Sequence, residues 1–217
     1  MSEGKTAEFE EVAIEGWYRR KAHEFFRDFD DPFFNIAGSV DVTNVERLCR
    51  DEGLSFALTV LYCSQTAANS IEEFRLRLNG GKLVRYESVE ATQTILLEDG
   101  SFCFCYFPWR DDLREYNELG REMVERYKAL NTFDVEADRR DLIYYSVIPW
   151  ISFTSFKHAR NLKRGKTVPR IVFGKKYSQG GRAFMPVSVE ANHAIMDGLQ
   201  VGQYFERFQK ALDECSC

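Results

Sequence analysis

Arg182-Ala-Phe-Met-Pro-Val-Ser-Val-Glu190-Ala-Asn-His193-Ala-Ile-Met-Asp197-Gly198-Leu-Gln-Val201 reads as strand, turn and helix start in twenty residues. Ala183 to Ala191 alternates as a strand does and forms a predicted hairpin with Arg170 to Tyr177, around Ser178-Gln-Gly-Gly181. Beyond Gly198 the period changes. Val201, Tyr204, Phe205, Phe208 and Leu212 fall at i, i+3, i+4, i+7 and i+11, one face of an amphipathic helix.

Working outward, the same two periods recur. The N-terminal segment to Gly16 reads as an edge strand, Trp17 to Phe29 as a short amphipathic helix, and Phe33 to Val42 as a half-buried strand. Thr43-Asn-Val-Glu46 has the spacing of a capping box, with its helix stopping at Gly53, and Ser55 is placed to cap a more apolar helix towards Asn69. Two hairpins are predicted. One joins Phe74–Leu78 to Lys82–Tyr86 through Asn79-Gly80-Gly81; the other joins Thr92–Leu97 to Ser101–Phe107 through Asp99-Gly100. Arg110 to Leu130 suits a helix. Leu142 to Phe156 reads as strand, then a bulge or edge at Pro149, then strand. Without a repeat or linker, residues 1–217 are expected to form one α/β domain with a large mixed sheet flanked by helices.

Composition narrows the function. The 217 residues are 44% hydrophobic and 29% charged, which excludes disordered and membrane-spanning chains. The net charge of −5 argues against a nucleic-acid binder. That average hides an asymmetry. Leu142 to Val189 contains no Asp or Glu but nine basic residues, Lys157, Arg160, Lys163, Arg164, Lys166, Arg170, Lys175, Lys176 and Arg182, leaving −14 for the rest. Such a stretch is either a solvated basic face or the footprint of a phosphorylated ligand. Six cysteines without a C-x-x-C pair, and only three histidines, argue against zinc and for reduced thiols. Polar Met1–Glu10 predicts no secretory leader, so the expected location is cytoplasmic, without a membrane partner.

Three residues carry the candidate chemistry. His193 stands where the strand meets its turn, and a neutral imidazole with an ordinary pKa of about 6.5 is a competent general base. Asp197 is four residues away, too close to swing onto the same ring. It suits either an N-cap or an ion pair with a distant arginine. Ser146, in an apolar stretch, needs a partner for its hydroxyl and could act as nucleophile or oxyanion donor. The chain has no G-x-S-x-G elbow, which argues against a serine hydrolase.

These residues resemble a known family. His193-Ala-Ile-Met-Asp197-Gly198 is similar to the H-x-x-x-D-G signature of chloramphenicol acetyltransferases, shared with dihydrolipoamide acyltransferase cores. Pro149-Trp-Ile-Ser-Phe-Thr-Ser-Phe156, Trp17-Tyr-Arg19-Arg20, Phe74-Arg75-Leu76 and Glu87-Ser88-Val89 resemble further landmarks of that family. The resemblance spans Trp17 to the last helix.

The resemblance implies a two-layer sandwich that assembles as a homotrimer, with active sites at the subunit interfaces. It implies acetyl-coenzyme A as co-substrate, no bound cofactor or metal, and a small-molecule alcohol as acceptor, chloramphenicol or something more polar. His193 would take the acceptor's proton for direct attack on the thioester, Ser146 would hydrogen-bond the oxyanion, and Asp197 with Arg19 would hold the histidine loop. Phe26, Phe34, Phe102, Phe133, Phe156 and His158 match acceptor-pocket positions; Trp150, Lys176 and Tyr177 match positions near the coenzyme. Departures are also visible. Asn192 replaces a first histidine, Phe173 stands for a threonine that holds a water, and Leu54 replaces a lysine near the coenzyme. Asp30, His158 and Arg160 stand where the drug pocket is apolar. Phe173 and Leu54 motivate the alternative, a non-catalytic or weakly active relative that binds coenzyme A or a small molecule.

Overall fold

A computed structural model of the chain describes residues 8–130, 133, 139–160 and 167–216. In chain order its elements are β1 (Phe9–Val12), a 3-10 turn (Ile14–Gly16), α1 (Arg20–Phe26), β2 (Phe33–Asp41), α2 (Thr43–Glu52), α3 (Phe56–Asn69), α4 (Glu72–Arg75), β3 (Leu76–Asn79), β4 (Lys82–Tyr86), β5 (Glu90–Leu96), β6 (Phe102–Phe107), α5 (Leu113–Leu130), β7 (Leu142–Ile148), β8 (Arg170–Gly174), β9 (Tyr177–Gln179), β10 (Arg182–Asn192) and α6 (Gly198–Glu214).

The large sheet runs β2-β10-β8-β7-β5-β6, with β9 also on β10. β7 is parallel to both β5 and β8, and the other pairs are antiparallel, so the sheet is mixed as expected. A smaller antiparallel sheet, β1-β4-β3, lies apart. Strand alternation gives the large sheet two chemically different faces. Val187, Val189 and Ala191 of β10, Ile171 and Phe173 of β8, and Ile143 and Tyr145 of β7 belong to the hydrophobic core. Val201, Tyr204, Phe208 and Leu212 of α6, fully buried, join the same core, each aromatic or aliphatic side chain stabilising by roughly 1.5–3 kcal/mol. Ser64 of α3 hydrogen-bonds both Tyr145 and Tyr204, so these buried hydroxyls are satisfied. The opposite face carries Ser188, Glu190 and Asn192, one residue out of phase with the valines.

Several boundaries differ from the sequence expectations, for local reasons. Thr43 does not cap α2. The N-cap position is Val42, and the Thr43 hydroxyl instead accepts from the Ala183 backbone N–H of β10 at 2.9 Å, while Asp41 accepts from Thr43 N–H. Tertiary contact has taken the hydroxyl that the spacing assigned to the helix. The chain's capping box lies at Asp197 and Gln200 of α6. Ser55 does cap α3, and Gly53 ends α2 at φ 68°, a conformation open to glycine. The expected first helix is confined to Arg20–Phe26, and Phe74 belongs to the short α4 rather than to β3. Among its described residues, the N-terminal segment forms β1 and a 3-10 turn.

The largest difference follows β7. No second strand forms before Phe156; residues 149–160 run as irregular chain across the end of the sheet. Gly174 makes room for this segment, because a Cβ there would sit 2.9 Å from the Phe153 ring. Lys175 N–H donates to Ile151 O, and Ser152 Oγ donates to Lys175 O, pinning the segment to the end of β8.

Candidate active site

His193 is the first residue beyond β10. Its backbone N–H donates to Pro32 O at 2.8 Å, and Arg19 Nη2 donates to its carbonyl at 3.2 Å. The imidazole lies between two aromatic rings, Phe26 at 4.5 Å and 14° and Phe34 at 4.1 Å and 28°. Its Nδ1 is enclosed and has no hydrogen-bond partner, so Nε2 is the nitrogen left to meet a ligand. Desolvation between the rings lowers its pKa below the usual 6.5. Asp197 pulls upward and Arg19 downward, without reversing that direction. The ring is therefore neutral at pH 7.

The turn after His193 is held by one ion pair. Arg19 Nη1 donates to Asp197 Oδ2 at 2.5 Å; Arg19 is 6% exposed and Asp197 41%. Asp197 Oδ1 also accepts from Leu199 N–H at 3.0 Å as the N-cap of α6. Burial pushes the Asp197 carboxyl up, but Arg19 and Leu199 outweigh it and hold it below the ordinary range. The two readings of Asp197, cap and ion pair, are thus both realised, one on each oxygen. Asn192 is equally local: its Oδ1 accepts from Ala194 N–H.

On the other side of residues 192–194 lies a cavity of about 640 Å³, within the range of small-molecule sites. Ser146, Thr92, Tyr144, Phe102, Phe104 and Asn192 are among its lining residues, and His193 is not. The Ser146 hydroxyl is not engaged with any described residue. Val172 pairs with Ser146 across β7 and β8 and shares its face. Phe173 points the other way, onto Tyr145 and Phe208 in the core. The expectation that Phe173 stands in place of a pocket hydroxyl is therefore corrected: strand alternation turns it away from the site.

The expected acceptor residues divide into three groups. Phe102 and His158 line the cavity. Phe156 stacks edge-on against His158 at 4.9 Å, and exposed Phe133 packs on Phe102 and Phe104. Phe26 and Phe34 sandwich His193 instead of lining the cavity with the others. The expected coenzyme residues lie at the surface. Exposed Trp150 precedes Ile151, which is hydrogen-bonded to Lys175 N–H beside Lys176. Lys176 pairs with Glu46 at 2.5 Å and lies 4.4 Å over the Phe56 ring; Tyr177 donates to Ser39 Oγ. Leu54 packs against the core.

The described residues of the basic stretch do not form one patch. Lys176 faces Glu46, Arg182 faces Asp41, and Lys157 is 4.0 Å from Asp31; Lys163, Arg164 and Lys166 lie outside the described residues. Arg160 and Arg170 instead enter the cavity and meet Glu190, at 2.5 and 3.7 Å, with His158 at 3.5 Å. Glu190 was missed in the sequence reading. Its signal was Ser188, Glu190 and Asn192 at period two opposite a Val-Val-Ala face. Among the described residues no three His, Cys, Asp or Glu side chains are grouped to hold a metal ion, and no helix is long and apolar enough to cross a membrane.

Comparison with known proteins converges on one family. The family model described as chloramphenicol acetyltransferase matches residues 7–209. A chloramphenicol acetyltransferase of Proteus mirabilis is 26% identical over 204 residues, covering 94% of each chain. Chloramphenicol acetyltransferase 3 of Escherichia coli is 25% identical, covering 91% of this chain and 93% of its own. A solved chloramphenicol acetyltransferase superposes with a TM-score of 0.86 at 27% identity, covering 94% of this chain and all of its own. The cubic core of a pyruvate dehydrogenase multienzyme complex, at 17% identity and TM-score 0.64, covers 99% and 95% and shares the fold.

Proposed function

The chain belongs to the chloramphenicol acetyltransferase family, and on that premise we propose that it transfers an acetyl group from acetyl-coenzyme A to the hydroxyl of a small-molecule alcohol. The observation that carries the reading is His193: a neutral imidazole clamped between Phe26 and Phe34, with Nε2 as its available nitrogen and its turn locked by Arg19 and Asp197. Nε2 accepts the acceptor's proton as the alcohol oxygen attacks the thioester carbonyl. The tetrahedral oxyanion takes a hydrogen bond from Ser146. Collapse breaks the carbon–sulfur bond, and the imidazolium returns its proton to the departing thiolate. No acetyl-enzyme forms. Arg19 and Asp197 position the histidine and move no proton.

His193 and Ser146 lie on opposite sides of residues 192–194, the serine in a cavity that the histidine does not line. A site built from one subunit's His193 and a neighbour's Ser146 resolves this separation, and a homotrimer closes such head-to-tail contacts into a ring. Trp150, Lys176 and Tyr177 mark the coenzyme side, and the expected location is cytoplasmic. If chloramphenicol is accepted, the activity is an antibiotic-resistance activity.

The non-catalytic alternative loses support here. Phe173 faces the core, so it removes nothing from the site, and His193, Ser146, Arg19 and Asp197 are all present. The test is thiol release from acetyl-coenzyme A with and without chloramphenicol or another alcohol, beside His193→Ala. Acceptor-dependent release that disappears in the variant is the expected result. Release that is absent with every acceptor, or unchanged in His193→Ala, contradicts the reading.

A further inference from the structure

The cavity beside Ser146 holds a group of charges that the acyl-transfer chemistry does not use. Glu190, 3% exposed, stands directly opposite Arg170 in the β10–β8 register. Arg170 Nη1 donates to Ala159 O at 2.7 Å, fixing the segment that brings in His158 and Arg160. The Arg160 guanidinium, 7% exposed, lies 3.2 Å over the Phe33 ring and 2.5 Å from Glu190. Burial pushes the Glu190 carboxyl up, but His158, Arg160 and Arg170 hold it below the ordinary range. One carboxylate thus faces two permanently charged arginines and a histidine. At the rim Arg27 and Asp30, both lining the cavity, cancel. Among the described residues Arg160 and Arg170 outnumber Glu190 by one charge even with His158 neutral, while Asp31, which also faces Arg160, is matched by Lys157.

Arg160, Arg170 and His158 all converge on one oxygen of Glu190, Oε1. Arg160 Nη2 and His158 Nδ1 are taken up by that carboxylate, whereas Arg160 Nε is buried without a hydrogen-bond partner. Buried donors of this kind are normally satisfied, and a guanidinium offers a planar fork suited to two oxygens of one anion. A cationic ligand is disfavoured, because Glu190 is covered and already shared among cations.

Resting on the acyltransferase reading above, we propose that the acceptor alcohol carries an anionic group, a carboxylate or phosphate, that Arg160 and Arg170 hold in the cavity beside Ser146. Neutral chloramphenicol would leave Arg160 Nε unmet and the second arginine charge without a counter-ion. Recognition by charge-assisted bonds also gives discrimination that an apolar slot cannot, since a ligand without the anion leaves buried groups unpaired.

The experiment uses a matched pair of probes on one scaffold: the chloramphenicol amine base acylated with succinate, as the free acid and as its methyl ester. Thiol release from acetyl-coenzyme A is expected to show kcat/KM at least about tenfold higher for the acid than for the ester. In Arg160→Leu that ratio is expected to fall to about one. An Arg160→Leu/Glu190→Gln double variant, which removes both charges together, replaces the single variant if that one does not fold. His193-dependent turnover with the ester equal to or better than the acid overturns the proposal. So does an Arg160→Leu variant that raises the KM for acetyl-coenzyme A while keeping the acid-to-ester ratio, because the anion then belongs to the coenzyme. If no acceptor gives His193-dependent thiol release, the acyltransferase reading has failed separately, and calorimetric binding of the two probes decides. Tighter binding of the acid that is lost in the variant sustains the anion site, and equal binding overturns it.

Discussion

β10 and the turn after it carry two arginine–carboxylate assemblies that are built to different ends. At the turn, both Asp197 oxygens have directed partners, Arg19 on one and Leu199 N–H on the other, and Arg19 also reaches the His193 carbonyl. Inside the cavity, Glu190 draws Arg160, Arg170 and His158 onto one oxygen, and Arg160 Nε keeps no hydrogen-bond partner. The first assembly is closed by the protein itself and fixes a shape. The second crowds three cationic or titratable side chains onto one carboxylate oxygen beside a cavity and leaves one buried arginine donor without a partner. A buried pair used as scaffold is expected to affect stability and positioning when broken; one used for recognition is expected to change the choice of ligand.

Mutations can break or sharpen that contrast. The largest effect is expected from His193→Ala, which touches neither carboxylate: turnover falls by about 10²–10⁴-fold or more while the thermal midpoint stays near wild type. Thiol release and a thermal melt check both halves. Ser146→Ala is expected to lower kcat by roughly 10²–10³-fold with little change in KM, because the oxyanion exists only near the transition state. Steady-state kinetics with varied acetyl-coenzyme A measures the split. Breaking the closed assembly by Arg19→Met or Asp197→Asn is expected to cost about 1–2 kcal/mol, reduced by the solvent screening of an Asp197 that is 41% exposed. Denaturant titration reads this directly.

The pH profile separates the two partners more finely. Wild-type kcat/KM is expected to rise with pH through a midpoint below 6.5 and to vanish on acidification, since desolvation depresses the His193 pKa and only the neutral ring accepts a proton. Arg19 lowers that pKa and Asp197 raises it. Arg19→Met is therefore expected to move the midpoint up and Asp197→Asn to move it down. Shifts in the same direction for both would mean that the turn deforms, and that electrostatics is not what the variants report.

Much of this was legible in the sequence, and the failures have physical causes. α6 was readable because Val201, Tyr204, Phe208 and Leu212 repeat at a helical period and all four are buried. An ion pair at Asp197 was readable because four residues leave it no route to the His193 ring, and the family resemblance named Arg19 as the partner, as found. The cap at Thr43 was misread because a β10 amide competes for its hydroxyl, a contact 140 residues away in the chain. The run from Pro149 to Phe156 was misread as ending in a strand because its aromatic and branched residues pack singly, Phe153 against Gly174 and Phe156 on His158, without pairing into a sheet. The basic stretch suggested either a solvated face or the footprint of a phosphorylated ligand. Its charges part because alternation sends Arg170 into the cavity, while Lys176 is drawn to Glu46.

The central claim is that His193 and Ser146 complete a site from neighbouring subunits, and co-expressing His193→Ala with Ser146→Ala chains tests it most directly. Each variant alone is nearly inactive. In a mixed ring of three, one junction always joins an intact His193 to an intact Ser146, so each mixed trimer is expected to recover about one third of wild-type thiol release. Mixed oligomers no more active than the separate variants would contradict the account, because the two residues would then have to act within one chain.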